Sequence, residues 1–189
     1  MLLTLGAAAG WLRPANELDW QPALALAEPW RAWTAAWVHW SPRHLGFNLA
    51  GGAVLAWFGA AARLPARMSL AWLLAWPLTH LGLLVQPALS HYGGLSGVLH
   101  AGVAVAATWL LWAEHGRRRA IGAAVAAGLL LKVALERPWA GPLAAVDGWD
   151  IALAPLAHAS GALAGALSAA LLLAWPTGGG PRRPEGAHR

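Results

Sequence analysis

The feature that most constrains this chain is a succession of long apolar runs, each closed by a polar or arginine-rich segment. A membrane-crossing helix needs about 20 predominantly apolar residues. Stretches near residues 1–12, 44–62, 68–89, 96–113, 120–135 and 156–175 meet or approach that requirement. Charged residues make up only 11% of the 189, where a soluble domain carries about 25%. The pattern predicts one all-α, polytopic membrane domain over residues 1–176, with six transmembrane helices in the lipid bilayer. The tail over 177–189 is Gly, Pro and Arg, and is predicted to be disordered. The first run is short, which predicts a tilted or partial helix or a misplaced start codon. It lacks a basic leading region, so no cleavable signal peptide is expected. Residues 13–43 differ in kind. They carry Glu17, Asp19 and Glu28 together with Trp20, Trp30, Trp33, Trp37 and Trp40. Tryptophan concentrates at the headgroup level, so this stretch is predicted to lie in the membrane interface.

Basic residues give an orientation. Arg63, Arg67, Arg117, Arg118, Arg119, Arg182, Arg183 and Arg189 fall on one side of the six-span arrangement. The opposite loops hold Arg13, Arg31, Arg43 and Arg137, diluted by Glu17, Asp19, Glu28, Glu136, Asp147 and Asp150. The positive-inside rule then predicts that both termini are cytoplasmic. The net charge of +5 is therefore a topology signal, and no nucleic-acid partner is expected. A chain without cysteine excludes disulfides, thiolate metal sites and cysteine nucleophiles. This orientation brings Ser96, His44, Asn48 and His158 to the outer face or just below it, a coincidence that the charge count did not use.

Ser96 lies in Gly94-Leu95-Ser96-Gly97 at the mouth of the fourth run. The first N–H groups of a helix have no intrahelical partner and favour negative charge, so an oxyanion formed at Ser96 would meet donors. An isolated GxSG is more often an N-cap or a small-residue helix contact. His158 opens the sixth run and shares a helical face with Gly161 and Gly165. Those glycines allow close approach of a neighbouring helix, and a histidine there could take and return a serine proton. His44 and Asn48 are four apart and face the same way. They can donate to an oxyanion or simply glue helices together, and the two readings are balanced. His100, one turn below Ser96, is a rival base or a hydrogen-bonded packing residue. Lys132 and Glu136 are spaced as a helix-face ion pair. His80, near Pro77, is expected to patch freed backbone groups. His39, His91 and His115 are expected to be solvated. No HExxH motif occurs, so neither a metal nor any other cofactor is expected.

Together these motifs resemble the rhomboid intramembrane serine proteases. His44-Leu45-Gly46-Phe47-Asn48 resembles their HxxxN element, Gly94-Leu95-Ser96-Gly97 their GxSG motif, and His158 with Gly161 and Gly165 their last-helix AHxxGxxxG. Trp30-Arg31 looks like the Trp-Arg pair of the rhomboid first loop. The longer string Tyr92-Gly93-Gly94-Leu95-Ser96-Gly97-Val98-Leu99-His100 looks more specifically like the rhombosortase subfamily. The resemblance implies a rhomboid-like bundle in which Ser96 is the nucleophile and His158 the general base. Asn48, His44 and the Ser96 backbone N–H would form the oxyanion hole, with Gly94 and Gly97 shaping it. No carboxylate is expected to orient His158. The implied partner is a membrane-anchored protein with a C-terminal Gly-Gly, hydrophobic and basic tail, cut near the outer face of a bacterial cytoplasmic membrane. The alternatives are a general rhomboid with other single-span substrates, a non-catalytic rhomboid-like client binder, or a small transporter.

Overall fold

A computed structural model describes residues 2–175 of the chain. The predicted tail at 177–189 lies outside the described residues. Among the described residues the architecture is all-helical and contains no strand, only isolated bridges joining Trp20 to Tyr92 and Ala144 to Leu153. The long helices are α4 (Pro42–Ala61), α5 (Ala66–Leu81), α6 (Ser96–Ala113), α7 (Gly116–Leu135) and α8 (Pro155–Ala174), preceded by the short α1 (Leu2–Gly10), α2 (Ala15–Leu18) and α3 (Arg31–Thr34). The protein thus has α-helices wherever the sequence is apolar for long enough, and irregular backbone between them.

Among the described residues, three helical stretches are long and apolar enough to cross a membrane: Ala66–Val85, Ser96–Ala113 and Pro155–Ala174. Helices α4 and α7 are as long as α8, but they carry polar residues at their ends: Arg43, His44 and Asn48 on α4, and Arg117, Arg118, Arg119 and Lys132 on α7. Of these, His44, Asn48 and Lys132 line the groove beside Ser96.

Helix α6 is the central post and packs against α4, α5, α7 and α8. Its tightest partner is α8, where a Cβ at Gly161 would overlap the Gly97 carbonyl and one at Gly165 would overlap the Ala101 carbonyl. The absence of side chains there lets two backbones touch, as small-residue interfaces do inside membranes. Local chemistry fixes the helix ends. Ser41 caps α4 by accepting from the His44 N–H at 3.0 Å, with Pro42 at the first helical position. Ser160 on α8 donates to the Thr79 carbonyl of α5 at 2.8 Å, tying the two helices together. His80 does not serve its own helix as expected. Its Nδ1 hydrogen-bonds the Ala32 carbonyl in the first loop at 2.6 Å, and the ring is fully buried near Trp20 and Tyr92.

The segment before α4 is folded down by a buried ion-pair network. The Arg31 guanidinium, 6% exposed, bonds the carboxylates of Asp19 and Glu28 and the carbonyls of Asn16 and Asp19. The Asp19 side chain is fully buried and takes a second partner in His91 at 2.6 Å. The Trp20 and Tyr92 backbones bond each other reciprocally at 2.7 and 2.9 Å. Arg31 therefore anchors the tryptophan-rich loop against the turn that leads into α6. His39 is another correction. It is buried and bonded to the Trp37 carbonyl rather than solvated, and burial holds its pKa below the ordinary value while that bond opposes the shift. His91 remains about half exposed despite its carboxylate partner, and His115 is exposed.

Candidate active site

The turn Tyr92–Leu95 delivers Ser96 to the start of α6. Gly94 has φ +138°, where L side chains are strained, and a Cβ there would sit 2.9 Å from Nε2 of His44. Only glycine fits. Its N–H donates to the Ala35 carbonyl at 2.9 Å, and the Tyr92 hydroxyl donates to its carbonyl at 3.3 Å. Burial pushes the Tyr92 phenol up to about 12, its Ser96 and Gly97 contacts acting against that, so it stays an O–H donor. Leu95, not Ser96, is the cap residue. Ser96 is the first residue inside the helix, and its side chain is not used for capping.

That hydroxyl instead lies 2.9 Å from Nε2 of His158. The Gly97–Gly161 contact is the reason. Helices α6 and α8 approach closely within one turn of Ser96 and His158, so these two residues meet side chain to side chain. On the other side of the ring, Nδ1 of His158 is 2.7 Å from Oε2 of Glu136, the residue that caps the C-terminus of α7. This corrects the expectation that no carboxylate orients His158. The other Glu136 oxygen accepts from Lys132 Nζ, the pair anticipated from spacing. Burial raises the Glu136 pKa, but the hydrogen bonds and charges of His158 and Lys132 outweigh it and hold the acid down at about 2. Glu136 is thus ionised at neutral pH and can only accept. In the neutral imidazole Nδ1 then carries the single ring proton, which leaves Nε2 with a lone pair facing the Ser96 hydroxyl. Serine, histidine and carboxylate so arranged are the parts of a nucleophile, its base and an orienting group.

The remaining predicted residues surround this line. His100 packs its ring flat on His158, with centroids 4.1 Å apart and planes 12° apart, and its Nδ1 bonds the Ser96 carbonyl at 2.7 Å. It walls the base rather than contacting the Ser96 hydroxyl, which fits the packing role. His100, Glu136 and His158 bring ligand-type atoms within 4.8 Å of one another. The two imidazoles, however, are stacked, and their in-plane lone pairs cannot converge on one ion. His44 and Asn48 are both buried at 5% exposure on the far side of Ser96. Nδ1 of His44 lies 3.5 Å from the Trp40 N–H, which leaves Nε2 as the donor toward Gly94. The Asn48 amide nitrogen is buried and has no partner among the described residues. Buried amides are almost always satisfied, so an unpaired N–H₂ beside the Ser96 turn is a donor kept for something else. The Ser96 N–H, in the first turn of α6, has no intrahelical acceptor.

The site opens sideways. A groove of about 1230 Å³ runs down from Ser96 and His158 between α4 and α7. Its walls are mostly apolar, with Val54, Phe58, Val125 and Leu129 below the polar residues and Val146 and Trp149 above. Trp149 packs on Phe47 at 5.2 Å and Arg43 lies over both rings, closing the groove from above. Polar donors at the top of an apolar, laterally open channel suit a substrate that arrives from within a bilayer.

Sequence reasoning missed Glu136 as part of the site. Its signal was present, since an outer-end carboxylate stood at the same predicted level as His158, but the Lys132 pairing accounted for it too readily.

The chain belongs to the rhomboid family: the Rhomboid domain matches residues 26–175. No curated protein matches the chain. Family membership, with the apolar membrane-length helices, suggests a multi-pass membrane protein and an intramembrane serine protease.

Proposed function

Taking rhomboid membership as the premise, we propose that the protein is an intramembrane serine endopeptidase of rhombosortase type. The observation that carries the reading is the 2.9 Å approach of the Ser96 hydroxyl to Nε2 of His158 across a glycine seam. A client-binding scaffold has no use for such a contact. In the proposed reaction the Ser96 Oγ attacks the scissile carbonyl carbon while His158 Nε2 takes the hydroxyl proton. The tetrahedral oxyanion is held by the Asn48 amide, His44 Nε2 and the Ser96 backbone N–H. Collapse expels the amine, which leaves with the proton from His158. Water then attacks the acyl carbon while the same nitrogen takes its proton, and collapse breaks the bond to Ser96 Oγ, which recovers that proton from His158 as the carboxylic acid product leaves.

The substrate proposed is a protein with a C-terminal Gly-Gly, an apolar span and a basic end. An apolar span can occupy the α4–α7 groove, and a glycine pair costs little to unwind at the top of it. The subfamily assignment is supported by the string from Tyr92 to His100. The proposed setting is a bacterial cytoplasmic membrane crossed six times, with the termini cytoplasmic. Arg118 supports the polarity of the bundle. It bonds the Ala62 carbonyl and Glu114 at the end opposite Ser96, which gathers the basic loops together.

The test is co-expression with a reporter bearing a Gly-Gly, hydrophobic, Arg-rich tail, read as a size shift on a gel. Wild type and His100→Ala should cut it, and Ser96→Ala and His158→Ala should not. Cleavage that survives Ser96→Ala would sink the mechanism. A silent wild type, with a different single-span reporter cut in a Ser96-dependent way, would remove the subfamily assignment and keep the protease.

A further inference from the structure

The Ser96–His158 pair has a third member that the family resemblance did not supply. Glu136 sits at the C-terminal cap of α7, a helix that makes few contacts with α8 and belongs to the wall of the groove. Its Oε2 nevertheless reaches across to Nδ1 of His158 at 2.7 Å. The other faces of the imidazole are also taken. Nε2 meets Ser96, and the flat side is covered by His100 at 4.1 Å. The ring is thus fixed by a bond at each nitrogen and a stack on one face. The groups facing Glu136 are Lys132 on its second oxygen and His158 on its first.

We infer that Glu136 is a positioning residue for the proteolytic reaction, holding His158 in the tautomer with Nε2 unprotonated and stabilising the imidazolium that forms when Ser96 is deprotonated. The inference rests on the Ser96–His158 protease reading and deepens it from a dyad to a dyad with an orienting carboxylate. The physical case is the one that applies to any serine–histidine pair. A neutral imidazole has one donor nitrogen and one acceptor nitrogen. Without a fixed acceptor at Nδ1, part of the population presents an N–H to the serine and cannot accept its proton. A carboxylate also favours the cationic ring more than the neutral one, so its effect is greatest in the transition state. Lys132 restrains the carboxylate from the far side without touching the imidazole. The position of Glu136 adds a structural consequence. The end of α7 is tethered to the catalytic histidine, so a movement of α7 that widens the groove at its top would release the ring.

The experiment uses the full purified chain and a fluorophosphonate, which reports serine activation without needing the natural substrate. Ser96 Oγ forms a bond to phosphorus, the P–F bond breaks, His158 receives the hydroxyl proton and fluoride leaves. Labelling rates at Ser96 would be measured for wild type, Glu136→Gln, Glu136→Asp and Lys132→Met, each normalised to the folded fraction from thermal melting. Glu136→Gln should label roughly 100- to 10,000-fold more slowly. Glu136→Asp, which keeps the charge, should recover part of that loss, and Lys132→Met, which loosens the carboxylate without removing it, should lose less than Glu136→Gln. With the reporter as substrate, the Glu136→Gln loss should fall on kcat with KM unchanged. Wild-type labelling by Glu136→Gln, or an equal loss in Glu136→Asp and Glu136→Gln, would overturn the inference and leave the protease reading standing. Absence of Ser96 labelling in wild type would overturn both.

Discussion

Along the α6–α8 seam, glycines are where one backbone lies against another; at Gly128, on the wall of the α4–α7 groove, a glycine is where nothing lies within 4 Å. A Cβ on Gly161 or Gly165 would enter a neighbouring carbonyl, whereas one on Gly128 of α7 would meet no atom within 4 Å and one on Gly51 of α4 would meet only the Leu99 side chain at 3.0 Å; Gly46, on the exposed face of α4 outside the groove, is as open as Gly128. The two regions share composition and differ in what the missing side chains do. In the seam their absence sets the distance between two reacting side chains. In the groove it leaves room. The Ser96–His158 pair is thus held beside a backbone-to-backbone contact, while the groove leading to it is bounded by α4 and α7. Precision and access are assigned to different helix pairs around one central helix.

The comparison can be broken most severely at the seam. Gly161→Leu should abolish reporter cleavage and destabilise the fold on the order of 3 kcal/mol by overpacking, read by gel shift and thermal melting. Next comes Asn48→Ala, which removes the unpaired amide and leaves the seam alone. Its cleavage rate should fall about 100- to 1,000-fold with little change in melting, a split that a mere helix-gluing asparagine would not give. On the groove side, Gly128→Leu should keep the fold and the fluorophosphonate labelling of Ser96, yet slow reporter cleavage roughly tenfold by filling the path. Gly46→Ala should change the sign altogether and stabilise α4 by about 0.5 kcal/mol, detectable as a small rise in melting temperature.

A further effect is electrostatic. The folded-state pKa of Glu136 is depressed from 4.5 to about 2, so its bonds contribute stability above about pH 4.5, and that contribution is lost as pH falls toward about 2. The melting difference between wild type and Glu136→Gln should be constant from pH 7 to pH 5 and shrink below that.

The helices and the centre of the site were legible in the sequence for a simple physical reason. Apolar runs of membrane length have few other stable conformations, and the serine, histidine and glycines lie on helices whose period fixes their faces. The period placed His158, Gly161 and Gly165 on one face, and the resemblance to the rhomboid proteases singled out Ser96 and His158 as a pair. What could not be read were contacts between segments with no common period. The Glu136–His158 bond joins a helix cap to another helix, and its residues are far apart in sequence with Lys132 as a plausible local partner. Burial of Arg31 with Asp19 and the reach of His80 to Ala32 likewise depend on how an irregular loop folds back, which pattern alone does not encode. His39 was misjudged because a histidine near tryptophans in an interfacial segment looks solvated until the loop is packed.

The most direct test of the central claim, that the α6–α8 seam makes Ser96 a nucleophile with His158 as its base, is intact-mass measurement of the full chain after fluorophosphonate treatment, with peptide mapping. The account predicts one adduct, on Ser96, absent in His158→Ala. An adduct on another residue, or Ser96 labelling at the wild-type rate in His158→Ala, would contradict it.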